Sequence, residues 1–266
     1  MKLIYKNFPI FFIRLLALLS VFTLSGCYKK NAQAPIIVAT CADIEPYSLK
    51  NKDSYSGFEI EIMEHVGKIL NRPIVFQETY HLDVIKKIKT KEIDCAIGCL
   101  SDKGNKDGEF SISYLDSTPH ILMHNLSGAI QDFGKTISVL TYSNYEDIAK
   151  AIFSTNDALI KPLQSHAALV EDYFEKNSNF FITDKFHARE IQNKNRFHCT
   201  GNLPIEGRKI KIAIMMSNNS DLKKQIDDAL IQIEKQHILD ALRQKWNLPS
   251  ESDLKTEVTK SLNKSL

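Results

Sequence analysis

Cysteine is scarce in this sequence, and none of it is spaced for metal or redox chemistry. The 266-residue chain has five cysteines. The pair Cys95 and Cys99 is not a CxxC unit, so it marks neither a zinc site nor a redox couple. The eight histidines are scattered. His120 and His124 lie close together on an expected strand and read as ordinary polar positions, so no metal or other cofactor is expected. An excess of one charge is also missing, the formal net charge being +2. No repeat of solenoid period is present, and no collagen-like or low-complexity tract. The apolar run Leu15–Leu24 is too short to cross a bilayer, which takes ~20 residues. The composition, 43% hydrophobic and 25% charged, is that of a soluble globular protein.

What is present begins with a targeting signature. Lys2, Lys6 and Arg14 form a basic start, the apolar run comes next, and Leu24-Ser25-Gly26-Cys27 ends it. That order is that of a secretory signal, so residues 1–26 are expected to be removed. The LSGC ending resembles a bacterial lipobox. It implies that Cys27 becomes a lipidated N-terminus, with 27–34 as a tether to a membrane. Acyl chains contribute about 0.8 kcal/mol per buried CH2, so several hold a protein at a bilayer. Without the leader, 31 Lys and Arg face 32 Asp and Glu. The mature chain is near neutral, and nothing marks a nucleic-acid partner.

The rest reads as an alternating α/β chain. Ile36–Thr40 is short, apolar and β-branched, the mark of a buried strand. Cys41-Ala42-Asp43 is a polar turn, Pro46-Tyr47 stiffens an extended segment, and Lys50–Ser56 is a polar loop. From Phe58, apolar residues recur at helical spacing through Leu70. Strands at Pro73–Gln77 and Ile93–Gly98, with a short helix between, continue the series. A strand ending in small polar residues and followed by a crossover helix opens an α/β sheet, and ligands bind outside the carboxyl ends of such strands. His120–His124 reads as extended. A second α/β series starts at Thr136–Leu140, with a helix capped by Ser143 or Asn144 and a buried strand Phe180–Thr183 ending at Asp184. Lys209–Met216 reads as one late strand, with an amphipathic helix from Leu222 after it.

The order of these pieces carries a resemblance. VAT-CAD-I-EPY, GFEIEIMEHVGKIL, KTKEIDCAIG, FFITD and the closing DLKKQIDDALIQIEKQHILDALRQKWNL together resemble the polar-amino-acid family of bacterial extracellular solute-binding proteins. The match spans about residues 35–249. It implies an α/β type II periplasmic-binding-protein fold, two lobes joined by two hinge-strand crossings and closing on ligand. Lobe 1 is then 35–123 plus 209–266 and lobe 2 is 124–208, with crossings near His120–His124 and Lys209–Ile214.

The same resemblance implies the ligand contacts. An amino acid is a zwitterion, and Asp184 falls at the position that takes the α-ammonium. Lys106 falls where the family has an arginine for the α-carboxylate, a change that keeps the charge and loses the bidentate fork; Lys103 is the alternative. Ser101 matches a hydroxyl contact in lobe 1, and Ser143 and Asn144 match a pair at a helix start, where free N–H groups favour an anion. The aromatic platforms of the side-chain pocket fall near Ile44 and at Tyr80, His81 or Leu82. Cys41 stands where binders of basic amino acids carry an aspartate, which argues against a lysine or arginine ligand. Cys99 stands at a small polar contact. Cys41 and Cys99 come after neighbouring strands and form either a disulfide at the cleft floor or two small linings.

The resemblance implies a monomeric lipoprotein, anchored on the outer side of a bacterial membrane, that captures an amino acid or similar polar solute for an ABC permease. Two other readings stand beside it. One is a sensor of the same fold that does not transport. The other is a dehydratase of cyclohexadienyl acids, using Asp43, Glu45 or Asp184 as its acid.

Overall fold

The computed structural model describes residues 33–104, 107–123, 136–153, 158–194 and 201–249. Cys27 and most of the expected tether, together with Lys106, His124 and Cys199, lie outside them.

The apolar strand β1 (Ile36–Thr40) opens a first sheet. It pairs in parallel with β5 (Ile74–Glu78) and β6 (Cys95–Ala96). Its β-branched residues suit a strand covered on both faces, and Ile36, Val38 and Ala39 are fully buried. Antiparallel β15 (Met215–Met216) and β7 (Glu109–Phe110) complete the order β5-β1-β6-β15-β7. Helix α1 (Phe58–Leu70) buries Ile62, Met63 and Val66. These share a core with Ile226, Leu230 and Ile233 of α6 (Asp221–Lys235). Helices α2 (His81–Lys89) and α7 (Ile238–Lys245) complete this lobe.

The second sheet runs β11 (Leu159–Leu163), β10 (Thr136–Leu140), β12 (Phe180–Asp184), β9 (Pro119–Met123) and β13 (Gly201–Pro204). Its helices are α3 (Asn144–Phe153), α4 (His166–Phe174) and α5 (Lys185–Lys194). Between the sheets, β8 (Leu115–Ser117) and β14 (Ile210–Ile212) form an antiparallel pair, Ile212 opposite Leu115. These are the two crossings.

Two sequence expectations change here. The boundary at 123 placed Pro119–Met123 in the first lobe, but β9 pairs with β12 on one side and β13 on the other. The first crossing is therefore Leu115–Ser117. A buried strand has no period that says which sheet it joins. Lys209–Met216 is two strands rather than one. Ala213 donates to the Leu100 carbonyl at 3.0 Å and Ile214 to Ser111 Oγ at 3.0 Å, which carries the chain from the crossing pair into the first sheet.

A small meander, not expected from the sequence, fills the connection between β1 and α1. It consists of β2 (Asp43–Ile44), β3 (Ser48–Asn51) and β4 (Ser54–Ser56). Its Pro46 and Tyr47 carbonyls accept from Phe58 N and Glu59 N, both at 3.0 Å, and so serve the free N–H groups at the start of α1. Gly57 makes this docking possible. It sits at φ 136°, ψ 166°, a region open essentially to glycine. A Cβ there would lie 2.1 Å from the Tyr47 carbonyl oxygen. Gly57→Ala is expected to destabilise the fold by roughly 3 kcal/mol, as backbone strain and displacement of the meander combine. Chemical denaturation measures it, and a loss under ~1 kcal/mol would mean that the meander docks by other contacts.

Candidate functional site

The loops at the carboxyl ends of β1 and β6 meet those after β10 and β12, and polar groups of one lobe bond those of the other. Tyr47 Oη donates to Asp184 Oδ1 at 2.7 Å. Asn144 Nδ2 donates to Ser101 Oγ at 2.5 Å. Lys103 Nζ donates to the Tyr142 carbonyl at 3.1 Å and pairs with Asp147 at 2.8 Å. Cys99 Sγ lies 3.6 Å from Tyr145 Oη. Asp43 Oδ2 accepts from Ala167 N at 3.0 Å. The two lobes are closed on each other.

Asp184 is fully buried at the end of β12. Besides the Tyr47 hydroxyl it accepts from Phe186 N at 2.8 Å and His187 N at 3.3 Å, at the start of α5. Burial pushes its carboxyl above the usual range, against the downward pull of Tyr47, Phe186 and His187. Asp184 is thus a strand-end acid that caps a helix and faces the opposite lobe.

Glu59, in the first turn of α1, is the second buried carboxylate. Both its oxygens accept from Cys99 N, at 3.1 and 3.2 Å, and one accepts a short hydrogen bond from the Tyr114 hydroxyl. Burial pushes its carboxyl up to about 7, against those hydrogen bonds. The bonds hold Cys99 at φ 57°, a left-handed conformation uncommon outside glycine.

The expected site residues divide. Ser101, Asn144, Cys99, His81, Ser143 and Lys103 line one cavity of about 40 Å³, room for water. Ser143 caps α3, its Oγ accepting from Glu146 N at 3.3 Å. His81 opens α2; burial and the neighbouring His166 push its imidazole down to about 4, and its Nδ1 has no partner among the described residues. Ile44 is fully buried in the same apolar cluster as Tyr47 and Cys99 and does not line this cavity. The disulfide is a correction: Cys41 and Cys99 are free buried thiols, and of the two only Cys99 lines the cavity. Burial raises both thiols above the usual range, so they are poor nucleophiles.

Tyr47, Glu59, Tyr114 and Tyr145 were not read as site residues. The available signal was an acid, Glu59, set between Phe58 and Ile60 at the start of an apolar helix face. The tyrosines gave none, because their partners lie far away in sequence. A second cavity at the interface, about 550 Å³, is lined by Asp43, Glu45, Glu171, His187, Glu190 and Lys194 among others.

Comparison with known proteins agrees with this geometry. The family of bacterial extracellular solute-binding proteins, family 3, matches residues 36–249. The chain is 24% identical to the arginine-binding extracellular protein ArtP of Bacillus subtilis, over 87% of this chain and 95% of that one. It is 22% identical to the L-cystine-binding protein TcyJ of Escherichia coli, over 82% and 84%. Among solved structures, the arginine-, lysine-, histidine-binding protein ArtJ of Geobacillus stearothermophilus superposes with a TM-score of 0.72 at 21% identity, over 80% of this chain and 94% of that one. The ancestral amino acid-binding protein AncCDT-1, a precursor of cyclohexadienyl dehydratase, gives 0.70 at 21%, over 80% and 95%. These superpositions establish the two-lobed fold.

The proton held by Glu59 gives the site a pH signature. Folding raises this carboxyl from 4.5 to about 7, so between those values the folded protein keeps a proton that the unfolded chain has released. Its stabilising effect is complete below pH 4.5 and is lost as pH rises through 7. Glu59→Gln is expected to flatten the decline of melting temperature over that interval. An unchanged slope would assign the proton to another group.

Proposed function

Because this chain belongs to the bacterial extracellular solute-binding proteins, family 3, we propose that it captures an amino acid between its lobes and delivers it to an ABC importer. One observation carries the reading. A fully buried carboxylate, Asp184, faces the opposite lobe at the same interface that gathers Ser101, Lys103 and the helix start at Ser143 and Asn144. A zwitterion needs this pair of poles, an acid for its ammonium and a cation with N–H and O–H donors for its carboxylate. The relatives named for arginine and cystine support the same solute class. Lys103 reaches into the cavity and supplies the cation here. Cys27, as the lipidated residue, would keep the receptor beside its permease on the outer face of the membrane.

Capture on this reading uses no covalent step. Tyr47 sets a condition on binding, because its hydroxyl already donates to the Asp184 carboxylate. A hydrogen bond to a charged group contributes about 1.5–3 kcal/mol, so the ligand competes with an internal donor.

The full-length protein, purified in detergent and freed of carried-over solute by unfolding and refolding, is to be screened by thermal shift against the amino acids. A ligand at 100 times its Kd stabilises by about 2.7 kcal/mol. Asp184→Asn is expected to weaken the hit by roughly 10- to 100-fold. Tyr47→Phe, which removes only the competing hydroxyl, is expected to tighten it by up to roughly tenfold. Silence across all amino acids would overturn the reading; a hit indifferent to Asp184→Asn would move the ammonium elsewhere.

A further inference from the structure

Glu59 in the first lobe and Asp184 in the second are both fully buried, and both hold the same short stretch of chain. The Tyr114 hydroxyl, just before the crossing strand β8, donates to Glu59. The Ser117 hydroxyl, at the end of that strand, donates to Asp184 at 3.4 Å. Cys99 joins the two acids a second time. Its N–H donates to Glu59. Its thiol faces the hydroxyl of Tyr145, at 3.6 Å, and that of Tyr47, which donates to Asp184.

The groups that face Glu59 come from five places. They are Cys41 from the turn after β1, Cys99 and the Gly98 N–H from the loop after β6, Tyr114 before β8, Tyr145 of α3 and Asp184 of β12. Each of them is neutral or acidic. Arg243 of α7 approaches this cluster but serves the Tyr114 carbonyl. His120 of β9 and His166 of α4 face Asp184.

Two like charges buried together are costly, and such a pair keeps a proton and titrates as a unit. Glu59 is the member that carries it. Burial, helped by the charge on Asp184, pushes its carboxyl up to about 7. Asp184 accepts from Tyr47, Ser117, Phe186 and His187, donors that favour its charged form. An ammonium settling on Asp184 cancels the negative charge that helps to hold the proton. In a low-dielectric interior that change reaches Glu59. The exchange balances. One positive charge enters the cluster, the O–H bond of Glu59 breaks, its proton leaves for solvent, and the net charge of the buried groups is unchanged.

We propose that capture of an amino acid drives the proton from Glu59 into solvent, so that solute binding and the ionisation of Glu59 form one linked equilibrium. This rests on the reading of the cleft as an amino-acid site with the ammonium at Asp184. The sign follows from linkage. Protons and solute compete, so acid opposes capture, and affinity rises with pH until the empty protein has also lost the proton, near 7.

The test is calorimetric titration of the full-length refolded protein with each of the standard L-amino acids, in phosphate and in imidazole buffer. These buffers differ in ionisation enthalpy, so the difference in heat counts the protons released. At about pH 6.5 the wild type is expected to release roughly half a proton or more per solute bound, and Glu59→Gln less than ~0.1. Tyr114→Phe removes a donor that favours the charged carboxyl. At about pH 7.5 it is expected to release more than the wild type, which keeps the proposal testable if Glu59→Gln does not fold. Binding without release, or with proton uptake, overturns the proposal and leaves the amino-acid reading standing. So does release that survives Glu59→Gln, which assigns the proton to Asp184 or its histidines, or release unchanged in Tyr114→Phe. No binding of any amino acid overturns both.

Discussion

A single buried carboxylate, Glu59, ties together the parts of the first lobe that the cleft depends on. It belongs to the first turn of α1. It holds the backbone of Cys99 after β6 and takes the hydroxyl of Tyr114, one residue before the crossing strand β8. The Tyr114 carbonyl in turn accepts from Arg243 of α7 at 3.0 Å. Helix, cleft loop, crossing and closing helix thus share one polar frame. A buried acid is costly unless satisfied. Glu59 meets that condition with three hydrogen bonds and by carrying its proton to about pH 7. The frame also explains how a cysteine is kept in the left-handed conformation at Cys99: the acid in the helix supplies the compensation that a glycine would otherwise render unnecessary.

What was legible in the sequence was what local pattern determines. The strand Ile36–Thr40, the helix from Phe58 and the strand ending at Asp184 each carry their own period or apolar run, and each stands where expected. Sheet membership was not legible for Pro119–Met123, because a strand buried between two neighbours looks the same in either sheet. The meander of β2, β3 and β4 escaped because strands of two to four residues are too short to establish an alternation. Asp184 and Ser101, which bond across the lobe interface, were singled out through the order of the motifs. Tyr47 and Tyr145 were not, since Tyr47 finds its partner 137 residues away and Tyr145 finds Cys99 46 residues away. Asp43 was read only as a turn residue or an imagined acid. Its importance lies in His166 and Ala167, which a sequence pattern does not bring to it.

Closure here is made from the protein's own polar groups. Tyr47 on Asp184, Asn144 on Ser101 and Lys103 on the Tyr142 carbonyl each join one lobe to the other. Every such bond favours the closed form and also uses a group that the proposed ligand would need. Such contacts lower apparent affinity to the extent that they must be exchanged rather than added. They also pre-organise the donors, so that binding orders fewer side chains.

The interface is therefore uneven. At one pole Asp184 already accepts from four groups of its own chain, those of Tyr47, Ser117, Phe186 and His187, and an arriving ammonium shares the carboxylate with them. At the other pole Asp43 Oδ1 faces His166 Nδ1 at 3.4 Å, and His166 Nε2 has no hydrogen-bond partner among the described residues. Free energy for binding is available mainly where the protein has left its polar atoms unpaired.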